Sequence, residues 1–206
     1  MALAAVWSAT RKQWTLQAIL LLAAAFAKET TLIFTAAYLA QFVLDRRWWA
    51  ALRLLLIAVL PLVIWQVVLR SWFGAFGVGS GGAMATPFEI IPFMGIWRIG
   101  LEKGIAALLL FGFPALLFAV VPSLWGLWKG GRDLISGRRN EYTLLLFANA
   151  AIMLFVPYST YREALGLARF MPGLVAVVLL YAALKRERRA LIYSSLWLVW
   201  GLLLVG

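Results

Sequence analysis

The residues able to do chemistry in this chain are few and widely separated. Lys28-Glu29 interrupts two apolar stretches, 13–27 and 30–44; Arg162-Glu163 follows Pro157-Tyr158-Ser159-Thr160-Tyr161; and Arg169 comes seven positions after Arg162. A cation and an anion side by side between apolar arms are costly at membrane depth, so such a pair reads by default as functional. If helix already begins near Arg162, Arg162 and Arg169 share one face about two turns apart, a spacing that could grip a phosphate or pyrophosphate. The alternatives are structural: an ion pair closing a tight hairpin at Lys28-Glu29, and arginines that snorkel to headgroups at 162 and 169. Arg70, Arg98 and Lys103 read as interfacial anchors.

What is missing narrows the chemistry further. The chain has no Cys and no His, which removes disulfides, thiol nucleophiles, imidazole bases, Ser-His-Asp triads and Cys/His metal or haem sites. No metal site and no cofactor is expected from the residues, and a divalent metal requirement is left open. The run Gly77-Val78-Gly79-Ser80-Gly81-Gly82 lacks the Lys-Ser/Thr of a nucleotide loop and reads as a flexible linker.

The elements that must position these groups are membrane helices. Of 206 residues 65% are hydrophobic and 13% charged, a balance no soluble fold can bury. Uncharged apolar stretches run over 54–69, 104–128, 142–161, 170–184 and 190–206, beside the pair 13–27 and 30–44. The stretch 104–128, at about 37 Å as a helix, spans with tilt. A helix from Trp48-Trp49 to Arg70 would put aromatic rings at an interface. Pro61, Pro114, Pro122 and Pro172 can kink such helices without abolishing them. The net charge of +11 sits in clusters flanking apolar runs, which fits membrane orientation and not nucleic acid.

Residues 14–44 as one helix would be about 45 Å long with Lys28-Glu29 near mid-bilayer; as a hairpin each arm is about 20 Å. The hairpin puts Arg11-Lys12, Arg46-Arg47-Arg53, Lys129-Arg132-Arg138-Arg139 and Lys185-Arg186-Arg188-Arg189 on one side. Lys28, Arg70, Arg98, Lys103, Arg162 and Arg169 then lie opposite, and the positive-inside rule favours this arrangement over the long helix. The expected fold is an all-α, polytopic transmembrane helix bundle of about seven segments including a short N-terminal helix hairpin, one domain over 1–206. Its N-terminus is cytoplasmic, its C-terminus outside, and an outer loop at 71–103 ends in an interfacial amphipathic piece from about 88. The charged segments 129–141 and 185–189 read as solvated cytoplasmic turns that serve topology. Ala25-Phe26-Ala27 resembles a signal-peptide cleavage site only weakly, because a second apolar arm follows at once. The last apolar segment reaches Val205-Gly206, which is compatible with part of a larger polytopic protein.

The run Leu22-Ala23-Ala24-Ala25-Phe26-Ala27-Lys28-Glu29-Thr30, then Asp45-Arg46-Arg47 and a Trp-rich helix ending Trp65-Gln66-Val67-Val68-Leu69-Arg70, resembles the middle of GT-C-type polytopic glycosyltransferases. Tyr158-Ser159-Thr160-Tyr161-Arg162 and Arg169-Phe170-Met171-Pro172 resemble the outer Arg-bearing loop that enters a late transmembrane helix in bacterial members. The resemblance implies a cell-envelope enzyme of a bacterial inner (plasma) membrane. It would move a sugar from a polyprenyl-phosphate donor to an acceptor on the non-cytoplasmic face. Such enzymes carry an Asp in the first outer loop; here the two Asp, Asp45 and Asp133, both fall on the cytoplasmic side of the expected topology, and no counterpart of the N-terminal catalytic loop is expected among these residues.

On that basis Lys28, Arg162 and Arg169 would hold the lipid phosphate and stabilise the leaving group. Glu29, with Glu89 second, would serve as general base, and Glu102 and Glu163 are weaker candidates. Two other classes compete. A non-catalytic integral membrane subunit would pack partner helices against small-residue clusters such as Ala23-Ala24-Ala25. A transporter or flippase component would carry midplane polar groups and repeated halves, of which the sequence offers only Gln41, Gln66 and Asn149 and no repeat.

Overall fold

The computed structural model describes residues 1–77 and 86–205; most of the glycine run, 78–82, lies outside the described residues. All regular structure among them is helical, as expected. The chain divides into two compact units, Met1–Gly82 and Ala83–Gly206.

In the first unit, α1 (Ala2–Thr10), α2 (Trp14–Ala27), α3 (Leu32–Leu44) and α4 (Trp48–Phe73) follow one another through short turns. The helix breaks at Lys28, whose backbone is extended (φ −159°, ψ 120°), and a 3₁₀ turn covers Glu29–Thr31. Trp14, at the start of α2, packs edge-on against Phe42, near the end of α3, with ring centroids 5.3 Å apart. The two arms therefore run antiparallel, and the hairpin is the arrangement the chain adopts. Buried residues recur every three or four positions: Phe34, Tyr38 and Phe42 on α3, and Ala51, Leu54, Ala58 and Leu62 on α4. Small residues on this stripe let the helix axes approach.

In the second unit, α5 (Met94–Lys103), α6 (Ile105–Ile135), α7 (Thr143–Ile152), α8 (Tyr158–Tyr161), α9 (Ala164–Phe170), α10 (Pro172–Lys185), α11 (Arg188–Ser194) and α12 (Leu196–Val205) follow a strap from Thr86. Helix α6 lies closely against α7, where a Cβ on Gly126 would come 3.0 Å from Ala150 Cβ and one on Gly130 3.1 Å from Phe147 Cβ. The expected outer loop thus ends in a regular helix, α5, which starts six residues after the sequence limit of about 88.

Among the described residues two helices are long and apolar enough to cross a membrane, α4 with 26 residues and α6 with 31. Both contain prolines, and each internal proline lies two residues beyond a π-helical turn: Leu55–Val59 before Pro61, Leu108–Gly112 before Pro114, and Leu116–Val120 before Pro122. A proline has no N–H and its ring presses on the carbonyl four residues back, so a widened turn relieves the clash. Around Pro122 the cost is met in full view. The Val121 N–H reaches back to Leu116, Pro122 has no amide to offer, and the carbonyls of Leu117 and Phe118 accept from the Tyr193 hydroxyl and, at 3.0 Å, from the Trp197 indole N–H.

The expectation of a solvated turn over 129–141 is corrected at its start. Helix α6 continues to Ile135, so Lys129, Arg132 and Asp133 are helical. Asp133 is only 8% exposed; it accepts from the Tyr181 hydroxyl at 2.8 Å and pairs with the Lys185 ammonium at 2.9 Å. Lys129 pairs with Glu187 beside it. These charges fasten α6 to α10 and the turn after it, because a buried carboxylate must be paired and hydrogen-bonded.

Candidate functional site

Four charged residues of the second unit, Glu89, Arg98, Glu102 and Arg162, gather where the strap 86–93 crosses the chain between α7 and α8. Pro87 and Pro92 remove two donors, and the strap bends at Ile90–Ile91 and turns at Pro92–Phe93, where the Met94 N–H donates to Ile91 O at 3.1 Å. Two of its remaining amides pair with the segment after α7: Glu89 N–H donates to Phe155 O at 2.9 Å and Phe93 N–H to Leu154 O at 2.6 Å. Thr86 and Ser159 interlock through their hydroxyls at 3.2 Å, with the Ser159 N–H donating to Thr86 Oγ1 at 3.1 Å. Phe93 then takes a left-handed conformation (φ 58°) to enter α5, and Gly95 in its first turn sits where a Cβ would lie 2.8 Å from Val156 O.

This crossing fixes Arg98. Its guanidinium donates to Glu89 and to Glu102, each at 3.1 Å, and these two bonds, Glu102's first, raise its pKa above the ordinary arginine value. It also lies 5.4 Å from the centre of the Tyr158 ring, and Arg162 lies 5.4 Å from the same ring. Tyr158 is buried, and its hydroxyl has no hydrogen-bond partner among the described residues. Arg162 touches a carboxylate only at 3.5 Å, that of the exposed Glu163. The two arginines differ accordingly: Arg98 has its charge matched by two close carboxylates, whereas Arg162 is held by an aromatic face and keeps charge to offer.

Of the residues expected from sequence, Glu89 and Arg162 meet in this cluster. Glu89 stands there as the arginine's partner, with only 11% of its side chain exposed. Arg169 is exposed in the last turn of α9. The shared helical face that would have joined it to Arg162 does not form, because Glu163 is extended (φ −122°, ψ 123°) and separates α8 from α9. Phe170 next to it packs edge-on against Phe88 of the strap, centroids 6.3 Å apart. Lys28 and Glu29 belong to the first unit, exposed at the tip of the α2–α3 hairpin, where Thr31 donates to the Lys28 carbonyl through Oγ1 at 2.8 Å.

Sequence reasoning treated Arg98 as an anchor and did not single out Tyr158 alone. The signal for the first was the Arg98–Glu102 spacing of four on an amphipathic helix; nothing local signals that Tyr158 would meet both arginines. Among the described residues no three His, Cys, Asp or Glu come together in a way that could hold a metal ion. No protein-family model, curated protein or solved structure matches the chain.

Proposed function

We propose that the chain is a polytopic integral membrane protein of about seven segments. It binds a polyprenyl-phosphate-linked sugar and takes part in its transfer to an acceptor on the non-cytoplasmic face of a bacterial inner membrane. The observation that carries this reading is Arg162, a guanidinium seated on a buried tyrosine ring with its charge only loosely matched. In a water-poor site such a group stabilises the phosphate oxygen that gains charge as a glycosidic bond to it breaks. Arg169, of the same unit, is a further phosphate partner in this proposal, and Lys28 of the first unit is a separate candidate. Candidate general bases are Glu29 in the first unit and Glu89 in the second.

The test uses the full chain in nanodiscs, measuring donor binding and sugar transfer with polyprenyl-phosphate sugars. Arg162→Ala should weaken donor binding by about tenfold or more, the scale of one lost charge-assisted contact of about 1.5–3 kcal/mol, with Arg162→Lys intermediate. Donor binding unchanged in Arg162→Ala and Arg169→Ala alike would sink the proposal.

A second reading, a non-catalytic membrane subunit, is favoured by a different feature. An apolar groove of about 370 Å³ opens on α5 and α6 between Ile96, Trp97, Leu109, Phe113 and Leu116, suited to a partner helix in lipid. Trp97→Ala and Phe113→Ala would then release a co-purifying chain while leaving donor binding as it was.

A further inference from the structure

The first unit holds a second cationic site, independent of the one above. Beneath the open end of the α2–α3 hairpin, a cleft of about 420 Å³ is lined by Lys12, Arg46, Arg47 and Arg53 with Trp14 and Trp48, and no acidic side chain lines it. Asp45, exposed next to Arg46, lies outside that lining. Arg47 stacks over Trp14 at 5.6 Å, and Arg53 is steadied by Thr15 at 3.4 Å. Like charges gathered around one hollow repel, and topology alone asks only that they be on one side of the membrane, not that they face one cavity.

Two of the four also occupy unfavourable backbone. Lys12 and Arg46 have φ of 59° and 55°, in turns where the next amide reaches back five residues, from Gln13 to Ser8 and from Arg47 to Phe42. Glycine is the usual residue in such turns, so a cation placed there costs stability that a ligand can offset. Beside the cleft, Trp48 and Trp49 are 61% and 80% exposed, and below them Leu52, Leu56, Leu60 and Ile64 form an exposed apolar face along α4. A headgroup phosphate in the cleft would have its acyl chains continue down that face.

We infer that this cleft binds the headgroup phosphate of an anionic membrane lipid. The adjoining apolar face selects a lipid over a free phosphate, and the exposed tryptophans fit the headgroup level.

The test is native mass spectrometry of the full chain in neutral detergent, titrated in separate arms with phosphatidylglycerol, phosphatidylcholine, glycerol phosphate and inorganic phosphate. Phosphatidylglycerol should be retained and the other three should not. Arg46→Gly should lower retention about fivefold, the factor one basic residue is worth beside an anionic lipid, while Arg186→Gly should leave it unchanged. Arg186 has the same left-handed turn (φ 55°) and does not line the cleft, so the pair is matched for lost charge and backbone relief. Neither glycine should unfold the chain, since both suit the turn. The double variant Arg47→Gln/Arg53→Gln should lose retention further, by about thirtyfold for two charges. Equal losses in Arg46→Gly and Arg186→Gly would reduce the effect to net charge and overturn the site. Glycerol phosphate or inorganic phosphate binding as tightly as the lipid would overturn the lipid assignment.

Discussion

Arg46, Lys12 and Arg186 each end a helix with a positive φ, a conformation that costs a side chain about 1–2 kcal/mol. The charge returns part of this by lying at the negative end of a helix dipole. Arg186→Gly should therefore raise stability by about 1 kcal/mol, read as a higher midpoint in thermal unfolding; a lower midpoint would show that the charge outweighs the strain. Gly95 stands at the opposite extreme. A Cβ there would press on backbone, 2.8 Å from Val156 O and 3.1 Å from Tyr158 N, and backbone yields less readily than a side-chain end. Gly95→Ala should cost about 1–3 kcal/mol and push α5 away from Tyr158, so that Arg98 and Arg162 no longer share a ring. Donor binding would fall together with the unfolding midpoint.

Helix α6 shows how an element carries its own defect and what repairs it. Pro122 removes one amide donor, and the Leu117 and Phe118 carbonyls on the turn before it accept from Tyr193 and Trp197. Trp197→Phe should thus cost about 1–3 kcal/mol, the range for stranding a buried acceptor. In a Pro122→Ala background, where the amide at 122 returns, the same change should cost little. A double-mutant cycle by chemical unfolding checks this, and additive costs would mean that proline and indole are not coupled. Asp133 fastens the other end of α6 to α10. Asp133→Asn leaves the Lys185 ammonium without its anion and should destabilise by about 3 kcal/mol; the further change Lys185→Met should restore part of that loss.

For the molecule in its membrane, the basic clusters define the orientation to be tested. With the hairpin in place, a cysteine introduced at Thr30 should react with an impermeant thiol reagent from outside intact cells, and one at Arg139 only after permeabilisation. The natural absence of Cys makes either label unambiguous. Reaction at both sites in intact cells, or at neither, would contradict a seven-segment path through the bilayer.

Composition alone determined that the chain is helical and largely apolar, because stretches of this length without charge satisfy their backbone only as helices in lipid. Charge clustering also favoured the break at Lys28-Glu29 over one long helix, since moving Arg11-Lys12 across the membrane weakens the bias. The prolines were legible as kinks, but the Tyr193 and Trp197 donors beside Pro122 come from more than 70 residues away in sequence. The same holds for the candidate sites. Glu89 and Arg162 were recognisable as isolated charges in apolar surroundings, yet their common neighbour Tyr158, and the gathering of Lys12, Arg46, Arg47 and Arg53 around one cleft, were decided only by tertiary structure. A sequence reports which groups are costly to bury; where they meet is fixed by helix packing, which a single chain's local pattern does not encode.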